Sequence, residues 1–70
     1  MILDDAQRSL LSALSADDSA NAERRRNARI LLAYDSGTAT RVIAAEIGLS
    51  ESRTRYWRSV FDKHGMDMFA

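Results

Sequence analysis

Six side chains between residues 51 and 64 carry most of the recognition chemistry in this sequence: Ser52, Arg53, Arg55, Tyr56, Arg58 and Ser59. A guanidinium presents a planar fork of N–H donors that matches two adjacent acceptors, such as O6 and N7 of guanine or two oxygens of a phosphate. Serine and tyrosine hydroxyls both donate and accept, so they suit base edges and phosphates alike. Bond-making chemistry has far less to work with. The chain has no cysteine and a single histidine, His64, which excludes a thiol nucleophile, a disulfide framework and a His/Cys cluster with metal-ligand spacing. No nucleophile–base pair and no phosphate-cradling glycine loop is visible, so an enzyme is not expected and no cofactor or metal is implied. The Asp4-Asp5 and Asp17-Asp18 pairs are read as helix-start acids that complement the helix dipole, not as catalytic carboxylates.

The elements that must position these groups are helices. There is no proline in the chain, and Ala, Leu and Arg are abundant, which favours helix nearly throughout. A first helix is expected over residues 4–15, with Asp4 as N-cap and Leu10, Leu11 and Leu14 on one face. Residues 15–19 read as a loop, with Asp18 or Ser19 capping a second helix over 20–36. That helix has two apolar faces, Ala28 with Leu31 and Leu32, and Ile30 with Tyr34, which implies two packing partners. Gly37 then supplies the left-handed residue that ends it. Thr38 or Thr40 is the expected cap of a third helix over 40–47, with Ile43, Ala44 and Ile47 as its buried stripe. Gly48 stops that helix and Ser50 caps a fourth over 51–64, on which Thr54, Trp57 and Val60 or Phe61 face inward. Gly65 closes it, and Met66, Met68 and Phe69 are expected to fold back as an apolar tail. Trp57, Tyr34 and Phe61 are read as core aromatics, not as a ligand cage.

Helix, glycine turn and helix is the physical description of a helix-turn-helix, because the turn needs a residue at positive φ. Small Ala44 lets the two helices approach, and Leu49 plugs the angle between them. The string Arg29-Ile30-Leu31-Leu32-Ala33, Gly37, Ile43-Ala44-x-x-Ile47-Gly48-Leu49-Ser50, Trp57-x-x-x-Phe61 and Gly65-Met66 carries a family likeness. It resembles the N-terminal homeodomain-like helix-turn-helix of bacterial insertion-sequence transposases of the Tc/mariner-like superfamily, and of related short regulators. The resemblance covers most of the chain and implies sequence-selective binding of double-stranded DNA through the helix after the turn. The chain departs from the family at Thr54, where an aliphatic residue is usual, and at Ala39 with Val42, where a Ser-x-x-Glu capping box is common. The acidic catalytic domain of full transposases is not among these residues, so strand transfer is not implied.

An α-helix fits the major groove, where each base pair shows its own donor and acceptor pattern. Arg53 and Arg55 are the expected guanine readers, with Ser52, Tyr56 and Ser59 at bases or nearby phosphates and Arg58 at phosphate. Thr38, Thr40 and Arg41 would add backbone contacts at the start of the third helix, and Ser50 completes the candidate set at the start of the fourth.

The charge distribution bears on the same question. Of ten basic and ten acidic residues, Met1 to Glu23 holds one of the former and five of the latter, so an acidic front precedes a basic remainder. That asymmetry suits a polyanion partner, whereas the zero net charge favours the alternative class, a helical interaction or dimerisation module without DNA binding. Arg24, Arg25 and Arg26 point about 100° apart on a helix, so they cannot all meet one partner. At least one is expected to pair with Asp17, Asp18 or Glu23. The expected organisation is one all-α domain over 1–70: an acidic leading helix and loop over 1–19, a trihelical core over 20–65 and the tail over 66–70. A secretory signal and a membrane span are not expected, a cytoplasmic setting is, and no small-molecule substrate is foreseen. A homodimer would let two half-sites add their contacts.

Overall fold

Side-chain caps start three of the four α-helices, and glycines at positive φ follow three of them. The computed structural model describes residues 2–70, which form α1 (Asp5–Ser15), α2 (Ala22–Asp35), α3 (Thr40–Ile47), α4 (Glu51–His64) and a closing 3₁₀ turn (Gly65–Phe69). The result is the small all-helical bundle that the periodicity predicts. Asp4 caps α1 by accepting from the Gln7 N–H at 2.7 Å, and the Gln7 side chain accepts from the Asp4 N–H at 3.0 Å, a complete capping box. The start of α2 differs from expectation: its cap is Asn21, whose Oδ1 accepts from Arg24 N–H at 2.8 Å. Asp18 and Ser19 are not caps because Ser19 is already committed to a tight turn, donating its N–H and hydroxyl to Asp17 Oδ1.

Thr38 N–H reaches the Ala33 carbonyl and Gly37 N–H the Tyr34 carbonyl, the two bonds of a Schellman ending with Gly37 at φ 89°. Neither Thr38 nor Thr40 caps α3. Ala39 occupies the N-cap without any side-chain bond, while Thr40 Oγ1 lies 2.8 Å from the Tyr34 hydroxyl and Thr38 Oγ1 lies 3.2 Å from Ser36 Oγ. The first turn of α3 is therefore held by its neighbours rather than by a cap of its own.

Packing follows the two-faced reading of α2. Ala28 and Leu31 join Leu3, Leu11, Phe61 and Phe69 in one core cluster, flanked by Ile2, Leu14, Leu32, Met66 and Met68. The apolar tail does fold back, since Phe69 is buried in that cluster. Ile30, Ile43, Ala44 and Thr54 are buried outside it, and Tyr34 bonds toward α3. Four expectations about burial are corrected, the first being Ile47, which is half-buried while Ile43 and Ala44 alone form the buried stripe of α3. Leu10 lies 60 % exposed, because Leu11 and Leu14 already fill the contact of α1 with α2. Tyr34 and Trp57 are half-buried at the rim of the helix contacts instead of inside them, and of the three aromatics assigned to the core only Phe61 reaches it.

One buried group ties the front of the chain to the rest. Asp35 ends α2, where a negative charge opposes the helix dipole. Its Oδ1 accepts from the N–H groups of Ile2 and Leu3 at 3.0 and 2.9 Å, and its Oδ2 accepts from Arg8 Nε at 2.8 Å. Arg8 also donates to the Leu3 carbonyl and to Asp5. The Arg8 hydrogen bond and those from the backbone pull the Asp35 pKa down to about 2 against the cost of burial.

Candidate nucleic-acid interface

The turn before α4 is built from one carbonyl and one glycine. Ala44 O accepts from Gly48 N–H at 2.8 Å and from Leu49 N–H at 3.0 Å, and Gly48 sits at φ 83°, a left-handed conformation that costs an L-residue with a Cβ. Ser50 then caps α4, its Oγ accepting from Arg53 N–H at 3.1 Å. Thr54 fixes the roll of the helix. It is fully buried, and its hydroxyl donates to the Ser50 carbonyl at 2.9 Å, so a polar residue sits in an apolar contact with its bond satisfied inside its own helix.

With Thr54 and Phe61 inward, the turn of about 100° per residue places Trp57 and Arg58 on opposite flanks of the buried stripe. Ser52, Tyr56, Ser59 and Lys63 form the outermost row, and all four are exposed. Lys63 was not foreseen, although the i, i+4, i+7, i+11 spacing places it on the same face. Arg53 and Arg55 are exposed on either side of this row. They therefore address opposite edges of whatever α4 faces.

The arginines differ in what holds them. Arg55 pairs with Glu51 at 3.8 Å across one turn, and Arg58 pairs with Asp62 at 3.1 Å. Such exposed pairs exchange readily for water or another anion. Among the described residues Arg53 makes no ion pair. Its guanidinium carbon lies 5.0 Å from the centroid of Tyr56 and 5.5 Å from that of Trp57, and those two rings meet edge to face at 5.0 Å. Such cation–π contacts leave N–H groups of a guanidinium available for hydrogen bonds. On the other flank Arg58 lies 5.3 Å from the Tyr34 centroid, and the Tyr34 hydroxyl contacts Thr40. Arg58, Tyr34 and Thr40 thus form one chain from the middle of α4 to the start of α3. Arg41 is exposed on the first turn of α3 and Thr38 is half-buried before it.

Beside this surface, α2 and α3 enclose an open cleft of about 500 Å³ lined by Ala22, Glu23, Arg25, Arg26, Arg29, Glu46 and Ile47. Arg25 pairs with Asp18 at 3.6 Å, the pairing foreseen for one of the three consecutive arginines. Among the described residues no group of three or more His, Cys, Asp or Glu side chains is placed to hold a metal, and no helix is long and apolar enough to cross a membrane.

The sequence matches no known protein family, no curated protein and no solved structure. The site must stand on its own geometry. That geometry is a single helix whose outward row is hydroxyls, a phenol and a lysine, with one arginine on each side, presented after a glycine turn by a buried threonine.

Proposed function

We propose that this chain binds double-stranded DNA with sequence selectivity, seating α4 in the major groove. The observation that carries this reading is the exposed arc of α4 from Arg53 through Tyr56, Ser52, Ser59 and Lys63 to Arg55. It combines donors and acceptors for base edges with cations for the flanking phosphates, on an element of the right width for the groove. Thr38, Thr40 and Arg41 at the start of α3 supply backbone contacts, and Arg58 a further one. Ser50 acts first as the cap that aims α4. The likeness to transposase helix-turn-helix domains and short regulators, carried by the residues around Gly48, supports the same reading. In this proposal the chain is a DNA-binding domain and not an enzyme, and two copies on adjacent half-sites would raise its affinity.

One observation favours a helical interaction module instead. The outward side of α1 bears Ala6, Ser9, Leu10, Ser12 and Ala13, all exposed and none charged. Selection of bound sequences from a random duplex library, at low and moderate salt, separates the two. Enrichment of a defined site supports DNA reading, and a library that stays random while the chain self-associates supports the module.

A further inference from the structure

The α2–α3 cleft is linked to the candidate interface through Arg26, which lines the cleft and lies against Trp57 of α4. Arg26 of α2 and Arg53 of α4 both lie over Trp57, with guanidinium carbons 5.7 and 5.5 Å from the ring centroid. Arg26 is further fixed by Asn27, a buried side chain whose Oδ1 accepts from Arg26 Nε at 3.3 Å and from Nη2 at 3.1 Å. A guanidinium that lies against a ring and is bonded through two of its nitrogens has lost freedom before any ligand arrives, so a ligand has less ordering to do. Its Nη1 carries no such bond. Among the described residues Arg29, one turn on, is exposed and makes no ion pair, and Arg25 pairs with the exposed Asp18. Glu23 and Glu46 face the same cleft, yet neither comes within ion-pair distance of these arginines. Three cations on one helix wall, of which only Arg25 has a close counter-ion, and that the exposed Asp18, lie next to Arg53 through Trp57 and make a surface for an extended anion.

We propose that Arg25, Arg26 and Arg29 form a second contact surface for the phosphodiester backbone of the same duplex whose groove α4 enters. This rests on the DNA-binding reading above. The α2 wall would neutralise phosphates without reading sequence, while α4 does the reading.

Fluorescence anisotropy of the full chain on a selected and on a random duplex, across a salt series, tests this. In R26Q/R29Q the log-log salt slope is expected to fall by about 1.8, since each phosphate left unneutralised takes about 0.9 from it. Affinity for the two duplexes should weaken by the same factor, and the drop in affinity between 50 and 200 mM salt should be about tenfold smaller than for the parent chain. R29Q alone alters an exposed residue and guards against a folding defect, with an expected slope change of about 0.9. E46Q removes a competing anion from the cleft and should tighten binding to both duplexes, a gain that a merely structural role of the cleft would not produce. A parent chain that binds while folded R29Q, R26Q/R29Q and E46Q keep its slope and affinity would overturn the α2 surface and leave the α4 reading intact. No binding by the parent chain at low salt would remove both.

Discussion

Asp35 and Arg8 meet through a 2.8 Å bond from Nε to Oδ2, while the other carboxylate oxygen holds the N–H groups of Ile2 and Leu3. One side chain at the end of α2 thus fastens both α1 and the stretch of chain that precedes it. The carboxylate lies far below its ordinary pKa of 3.8, at about 2. A carboxylate with a depressed folded pKa contributes stability that is complete above the unfolded value and is lost as pH falls through the folded one. The contribution of Asp35 should therefore be whole at neutral pH and fade between about pH 4 and pH 2. Asp35→Asn is expected to melt well below the parent protein at pH 7, with the gap closing across that window. Thermal melts by circular dichroism from pH 7 to pH 2 measure it. A gap that stays constant with pH would show that the carboxylate charge is not what binds the front of the chain.

The same pair marks where sequence reading stops. The ends of α4 were legible because Ser50 and Gly65 are local signals, and the end of α3 because Gly48 is one. Asp35 gave no signal, since its partners lie 27 to 33 positions away and its own neighbours suggest only a helix end. The cap of α2 is not where the sequence suggests because the Asp17–Ser19 turn uses the same residue types as a cap. Trp57 and Tyr34 fit the spacing of a core, but helical spacing cannot tell the centre of a helix–helix interface from its rim, where a ring can stack on arginine. The outward row of α4 was mostly legible from Thr54 and Phe61. The Arg26–Trp57–Arg53 stack was not, because it joins two helices.

Gly48 has a prediction of its own. A Cβ built there meets nothing within 4 Å, so the cost of a substitution comes from φ 83° alone. Gly48→Ala is expected to lose about 1 to 2 kcal/mol, and Gly48→Val more, because a branched side chain tolerates the left-handed region least. Gly48→Asn should lose less than either, as asparagine adopts that conformation more readily. Urea unfolding of the three variants checks the order. Equal stability for Val and Asn would place the strain elsewhere.

Trp57 carries the one buried side-chain polar atom without a hydrogen-bond partner among the described residues, its indole Nε1. Removing that donor breaks no bond to another protein group. Trp57→Phe should thus stay within about 1.5 kcal/mol of the parent, whereas Trp57→Ala removes the whole ring and should cost up to about 3 kcal/mol, below the range for a fully buried tryptophan. Chemical denaturation of both variants distinguishes the effects. A Phe variant as damaged as the Ala variant would mean that the indole N–H is bonded after all.

The last prediction concerns Arg53 and Arg41, which the structure holds in different ways. Arg53 lies against the rings of Tyr56 and Trp57 beside the outward row of α4, next to Ser52 and Tyr56. Arg41 is exposed on the first turn of α3, with no aromatic support and no ion pair among the described residues. A guanidinium braced by neighbouring rings suits a bidentate bond to one guanine, and an unsupported one suits a phosphate. On a selected duplex Arg53→Ala should weaken binding by about 1 to 3 kcal/mol and relax preference at a single base position. Arg41→Ala should weaken selected and random duplexes alike and reduce the log-log salt slope by about 0.9. Arg53→Lys keeps the charge but not the fork, and it should behave like Arg53→Ala in base preference. Titrations of these variants against duplexes substituted one position at a time decide the matter. Uniform weakening for both arginines, with base preference unchanged, would reduce Arg53 to a phosphate contact and leave sequence reading to the hydroxyls of Ser52, Tyr56 and Ser59.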